Sequence, residues 1–308
     1  MESASLDLFE WVFTMMSRQI VVLGMHRSGT SLLTQLLHRM GCWVGADQEL
    51  MRPDEFNPAG YWEHNAVVTL NRSILQTIGG SWFQRAELRQ LSRHQWNGFI
   101  HEAREIAASF DTHGTWVAKD PRMVLLFPLW RRALNTPMCV MIWRDPLAVA
   151  RSLAARDGFP LRFGVLLWEL YVRTMLSATI GLPRVLVSYR QLVDDPPKAA
   201  HLLQTLLEEF GVRLRFPGED AVRAVVQRKL DRRSAGNARQ DYLLRARHRD
   251  LTQALRDCSA LSWSSVPEMP SAAAAVLDAF SAHWKGRRVR PTSRVAGRHH
   301  NSALSSDL

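Results

Sequence analysis

Gln19-Ile-Val-Val-Leu-Gly-Met-His-Arg-Ser-Gly-Thr-Ser-Leu-Leu33 is the stretch whose reading decides the fold. Ile20 to Leu23 is a short, β-branched apolar run of the kind that forms a fully buried strand in a parallel sheet. Gly24 ends it, and Ser28, Gly29, Thr30 and Ser31 follow at a turn. Leu32, Leu33, Leu36, Leu37 and Met40 then recur at helical spacing, which leaves one buried face. A strand, a tight glycine-bearing loop and a helix N-terminus make an anion site. The loop and first-turn N–H groups converge there, and the helix dipole adds partial positive charge. Thr30 and Ser31 can add hydroxyl donors.

Gly24, four intervening residues and Gly29 meet the first half of the phosphate-loop spacing, which continues with Lys and then Ser or Thr. Thr30 stands where that Lys belongs. A kinase or nucleotide hydrolase built this way would lack its main cation on the β- and γ-phosphates. Here the cation comes three residues earlier, as Arg27. Arg27-Ser-Gly-Thr-Ser31 resembles the 5′-phosphosulfate loop of the sulfotransferases. Those enzymes move a sulfuryl group from 3′-phosphoadenosine 5′-phosphosulfate (PAPS) to an acceptor.

The rest of the chain reads as further strands and helices. Trp116-Val-Ala-Lys119 is a second strand ending in Asp120-Pro121-Arg122, so Lys119 and Arg122 fall at or just after its carboxyl end. Met138 to Trp143 is a third, followed by Arg144-Asp145-Pro146 and a helix that carries Arg151 and Ser152 early. Arg184 to Ser188 is a fourth and leads into Tyr189-Arg190-Gln191-Leu192. Alternation of strands and helices predicts an α/β fold of three layers, a central parallel sheet flanked by helices with right-handed crossovers. Helical periodicity is also read over Val67–Ile78, Leu88–Phe110, Ala221–Leu230, Gln240–Leu255 and Ser271–Trp284. One domain over residues 15–284 is expected, with a helical insertion at about 42–115 and a helical C-terminal region. Residues 1–14 read as an extension and 285–308 as a disordered basic tail.

Arg144, seven residues and then Ser152 resemble the family's 3′-phosphate motif, in which a strand-end Arg and a helical Ser grip the phosphate that marks PAPS. Lys119-Asp-Pro resembles the corresponding segment of tyrosylprotein-type members. Tyr189-Arg-Gln-Leu resembles the family's Tyr-Glu-Asp-Leu strand end, with Arg190 and Gln191 in place of the acidic pair. Gln227 to Ser234, which includes Arg232 and Arg233, is similar to the late Leu-Arg-Arg element of bacterial members, while the glycine-rich adenine motif of the cytosolic enzymes is missing. The resemblance implies a PAPS site made of Arg27, Ser28, Gly29, Thr30, Ser31, Arg144, Ser152, Tyr189, Arg232 and Arg233.

Composition agrees with an anionic ligand. The chain has 308 residues, 46% apolar and 22% charged, and 39 Lys and Arg against 29 Asp and Glu give a net charge of +10. The arginines are dispersed and no nucleic-acid-binding signature appears, so no specific nucleic-acid partner is expected. Cys42, Cys139 and Cys258 are too few and scattered for a disulfide framework or a metal cluster, which fits a reducing cytoplasm. No apolar run of about 18 residues suggests a membrane span, and Leu6 to Met16 lacks the basic leader of a signal peptide.

Sulfuryl transfer places growing negative charge on the oxygen between sulfur and the 5′-phosphate, so nearby cations stabilise the transition state. Arg27 and Lys119 are the candidates. No metal is expected, because the leaving phosphate is already acidic. A general base must take the acceptor's proton. Glu63, after Asn57-Pro-Ala-Gly-Tyr61-Trp62, lies where carboxylate-using members of the family place theirs and is preferred over its neighbour His64, with His26 a third candidate. Trp43, Trp62, Trp82, Trp96 and Trp116 suit core or lid packing. The acceptor could be a small molecule, a glycan, a lipid or a peptide. A kinase or hydrolase with a displaced lysine, needing magnesium on Asp120 or Asp145, and a non-catalytic polyanion binder remain the competing readings.

Overall fold

Four short strands carry the fold: β1 (Gln19–Leu23), β2 (Trp116–Lys119), β3 (Pro137–Trp143) and β4 (Arg184–Ser188). In this computed structural model, which describes residues 19–135, 137–226 and 238–288, they form one parallel sheet in the order β2-β1-β3-β4. Every residue of β1, β2 and β3 is buried, as a sheet covered by helices on both faces requires.

The alternation along β1 assigns the layers. Val21 and Leu23 enter one apolar cluster, Ile20 and Val22 the other. The Val21 side is covered by α2 (Asn65–Thr77), α3 (Arg93–Asp111), α4 (Met123–Ala133) and α6 (Leu161–Ala178). The Ile20 side is covered by α1 (Thr30–Arg39), α8 (Pro196–Glu208) and α9 (Glu219–Val225). The remaining helices are α5 (Pro146–Asp157), the short α7 (Tyr189–Asp194), α10 (Ala246–Arg256) and α11 (Ser271–Arg288).

Register decides where the site can be. Val22 pairs with both Lys119 and Val140, and Trp143 with Ser188. The carboxyl ends therefore finish nearly level, and the segments after them leave the sheet on one side, where open α/β folds bind ligands.

Element boundaries depart from periodicity in two instructive places. The pattern over Leu88–Phe110 is broken by Ser92, whose hydroxyl caps Gln95 N–H while the Gln95 side chain accepts from Ser92 N–H. A single 3₁₀ turn (Leu88–Gln90) precedes that capping box and α3 follows it. Likewise Gln240–Leu255 is not one helix. A 3₁₀ turn (Ala238–Leu243) gives way to α10, because Arg245 N–H bonds His248 Nδ1 and starts the helix anew.

That restart places His248 in a buried clamp. Glu169 of α6 accepts from His248 Nε2 (2.8 Å), Arg247 Nε (2.9 Å) and Arg173 Nε (3.0 Å), and is itself fully buried. Burial opposes the charge, yet the bonds from His248 and Arg247 hold the carboxyl down to about 2. Glu169→Ala leaves these donors without their anion, a change that costs about 3–5 kcal/mol for a buried pair. Its melting temperature should fall by several degrees, and limited proteolysis should open the 246–256 segment first.

Candidate active site

The loop after β1 is held in a shape few residues allow. Ser28 N–H closes a turn on Met25 C=O at 3.1 Å, and both Arg27 (φ 69°) and Gly29 (φ 96°) are left-handed. At Gly29 a side chain is excluded twice: by the backbone angle, and by Tyr189, whose Cδ2 would lie 2.3 Å from a Cβ. A non-glycine residue held at positive φ, as Arg27 is, costs on the order of 1–3 kcal/mol and marks a geometry kept for a purpose. α1 begins at Thr30 with Gly29 as its N-cap and no side-chain cap, so the first-turn N–H groups have no side-chain acceptor. Ser28 Oγ is buried without a hydrogen-bond partner.

Residues far apart in sequence meet at this loop. Arg27 Nε donates to Ser152 Oγ at 2.9 Å, and Arg144 Nη1 donates to Arg27 C=O at 3.2 Å. The Arg144 guanidinium lies 4.2 Å over the Tyr189 ring, a cation–π contact, and Trp168 Nε1 fixes Arg144 C=O at 2.9 Å. Burial and the nearby Arg156 lower the Arg27 pKa, although a guanidinium stays charged near neutral pH.

A second knot lies at the end of β2. Lys119, almost wholly buried, donates to Glu63 Oε1 at 2.8 Å and to Ser31 Oγ at 3.2 Å. Burial raises the Glu63 pKa, against the pull of Lys119. Arg122 approaches Glu63 at 3.9 Å and bonds Asp120 at 2.7 Å. Asp120 also accepts from Asn71 (2.9 Å), whose carbonyl takes Trp130 Nε1 at 2.7 Å. Asp145 caps α5 by accepting Ala148 N–H. Both aspartates that a magnesium-dependent reading would need are thus engaged. Among the described residues, no cluster of three His, Cys, Asp or Glu is arranged for a metal.

The segment before α2 closes over the loop. Ser31 Oγ donates to Tyr61 C=O (3.0 Å) and accepts from Asn57 Nδ2 (3.2 Å), while Arg27 Nη1 reaches Phe56 C=O (3.3 Å). Asp54 holds the turn by accepting the Tyr61 hydroxyl at 2.6 Å and the N–H groups of Phe56 and Asn57. Burial, and then that bond, push the Tyr61 pKa up to about 12. Between this strap, the loop and α5 lies a cavity of about 470 Å³.

Arg27, Gly29, Thr30, Ser31, Glu63, Arg144 and Tyr189 line that cavity, whereas Ser152 and Lys119 do not and are bonded to Arg27 and Glu63, which do. His64 does not line it. Its Nδ1 caps α2 by accepting Ala66 N–H at 3.2 Å, its Nε2 faces Glu49 at 3.5 Å, and burial lowers its pKa. Arg232 and Arg233 lie outside the described residues. Sequence reasoning passed over Arg72, Arg156 and Asp157, which also line the cavity, as does Trp82 from the tryptophans expected in core or lid packing. Only Arg156 left a signal: it stands four residues after Ser152, on the same helical face.

The sulfotransferase family model matches residues 19–215, well over half of the chain. The chain belongs to the sulfotransferase family and is by class a transferase. Solved structures similar to it include the sulfotransferase domain of the Synechococcus PCC 7002 olefin synthase, at 15% identity and TM-score 0.41, covering 86% of this chain and 95% of that one. Another is the sulfotransferase domain of the curacin biosynthetic pathway, at 16% and 0.43, covering 86% and 98%. A sulfotransferase from Mycobacterium avium is similar at 12% and 0.40, covering 85% and 81%. No curated protein matches the chain. No helix among the described residues is long and apolar enough to cross a membrane.

Proposed function

We propose that the protein transfers a sulfuryl group from PAPS to a hydroxyl or amine of an acceptor entering the cavity beside the 42–115 segment. One observation carries this reading. Arg144 and Ser152, the residues expected to grip a 3′-phosphate, are both hydrogen-bonded to Arg27 of the loop expected to hold the phosphosulfate. The groups expected at the two ends of the donor are thereby coupled through Arg27, and each charge-assisted bond to a phosphate contributes roughly 1.5–3 kcal/mol.

The roles follow from position. Loop N–H groups, Thr30 and Ser31 hold the donor's sulfonate end, and Arg144, Ser152 and Tyr189 hold its nucleotide end. The acceptor oxygen or nitrogen forms the new bond to sulfur as the bond from sulfur to the 5′-phosphate oxygen breaks. Arg27 and Lys119 neutralise the charge that gathers on that oxygen, and Glu63 takes the acceptor's proton. Arg232 and Arg233 are assigned to the nucleotide on the family resemblance alone. The three free cysteines support a cytoplasmic setting. The test is transfer of ³⁵S from labelled PAPS to a panel of phenols, sugars, lipids and tyrosyl peptides, with stoichiometric release of adenosine 3′,5′-bisphosphate. Labelled product that forms equally without enzyme would dismiss the proposal.

A further inference from the structure

Away from the cavity, α3 and α4 enclose a second recess of about 400 Å³, and no residue lines both. Arg93, Trp96, Asn97, Ile100 and Arg104 of α3 line it, with Arg132 from the end of α4. Arg93, Asn97, Ile100 and Arg104 recur at helical spacing, so they share one stripe of α3, and Trp96 borders it. Arg104 Nη2 donates to Arg132 C=O at 3.1 Å and ties the two walls together. Arg132 stands just before β3, which puts the recess toward the amino edge of the sheet, opposite the loop after β1.

Every charge in this recess is positive, and no acid answers it. Among the described residues, Arg93, Arg104 and Arg132 form no ion pair. Of the acids on α3, Glu102 and Glu105 fall outside the stripe, Glu105 facing His101 at 3.3 Å, and Asp111 is taken by Gln19 and Trp116. Three guanidinium groups gathered at one place repel one another until an anion enters. The helix dipole suits Arg132, in the last turn of α4, but works against Arg93 at the first position of α3. Ile100, which is buried, and Trp96, which packs on the same core, give the recess an apolar side.

We infer that this recess is a second ligand site and that it binds a phosphate monoester whose organic part lies against Trp96 and Ile100. The inference is independent of the sulfuryl-transfer reading. A phosphate monoester is a dianion, which three cations suit better than a single charge, and the planar guanidinium fork matches phosphate oxygens two at a time. The Asn97 amide adds a neutral donor. At about 400 Å³ the recess falls within the roughly 300–1,000 Å³ of small-molecule pockets. A bare phosphate would leave its apolar side uncovered.

The experiment titrates phenyl phosphate calorimetrically into the full chain at low salt, with adenosine 3′,5′-bisphosphate present in excess to fill the cavity. One phenyl phosphate should bind per chain. Phenyl sulfate, a monoanion of similar shape, and inorganic phosphate, which lacks the ring, should each bind at least ~5-fold more weakly, and phenol not measurably. Arg104→Gln and Arg132→Gln should each weaken phenyl phosphate by ~10-fold, about one charge-assisted bond. Both positions are exposed, so the variants should fold, and Arg93→Gln replaces either one that does not melt cooperatively. Arg144→Ala strips a cation from the cavity and should leave this binding unchanged, whether or not the bisphosphate occupies that cavity. No binding of phenyl phosphate, equal binding of inorganic phosphate, or binding that survives the glutamine variants overturns the inference. So does binding lost in Arg144→Ala, which would return the ligand to the cavity.

Discussion

Arg27→Ala should lower turnover by roughly 10²-fold or more, and Lys119→Ala should match it. Each removes a cation fixed in place before the reaction. The two losses should nevertheless differ in kind. Arg27 bonds Ser152 and carries the carbonyl that Arg144 holds, so its removal loosens both ends of the donor site and raises the donor KM as well. Among the described residues Lys119 bonds the loop through Ser31, and its loss should affect kcat more than donor KM. Lys119→Ala also strands Glu63 in the interior, where breaking a buried pair costs about 3–5 kcal/mol. Proton uptake by Glu63 offsets part of that cost, since burial already raises its pKa. Steady-state kinetics and a melting curve separate the two effects. Turnover within about threefold of wild type in both variants would remove these residues from the chemistry.

Glu63→Gln carries the second large effect. It keeps shape and hydrogen bonding but loses basicity, so turnover should fall by ~10²–10⁴ while bisphosphate binding stays within about twofold. The pH profile gives an independent sign. A base must be ionised to act and burial raises the Glu63 pKa, so wild-type kcat should rise with pH through a midpoint above the ~4.3 of a free glutamate. Stability moves the other way. A carboxyl whose folded pKa is raised stabilises the chain most below its unfolded value, and that contribution is lost as pH rises through the folded one. Glu63→Gln should flatten both responses. His64→Ala should mainly cost a helix cap, about 1 kcal/mol. Near-normal turnover in Glu63→Gln, or a far larger loss in His64→Ala, would reassign the base.

What could be read from the sequence was local. The loop from Gly24 to Ser31 is contiguous, so its strand, turn and helix start state an anion site without tertiary information. The seven-residue gap between Arg144 and Ser152 is likewise set by one strand end and about two turns of α5. Lys119 was legible because Pro121 ends β2 beside it. The rest depends on packing between distant segments. Trp82 meets His26 and Arg156 only because the 42–115 segment folds over the loop, and the Asn71–Asp120–Trp130 chain joins three elements that no spacing relates. His64 and Glu63 are adjacent in sequence, and either side chain can accept a proton. The left-handed Trp62 (φ 57°) and the start of α2 turn one toward the cavity and spend the other on a cap.

The most direct measurement of the central claim is the thermal shift produced by two nucleotides that differ by one phosphate. Adenosine 3′,5′-bisphosphate at a hundredfold its dissociation constant should stabilise the chain by ~2.7 kcal/mol, a rise of about 4 °C. Adenosine 5′-phosphate at the same concentration should give a much smaller rise, because Arg144 and Ser152 then have no 3′-phosphate to grip. Equal shifts from the two nucleotides, or none from either, would contradict the account.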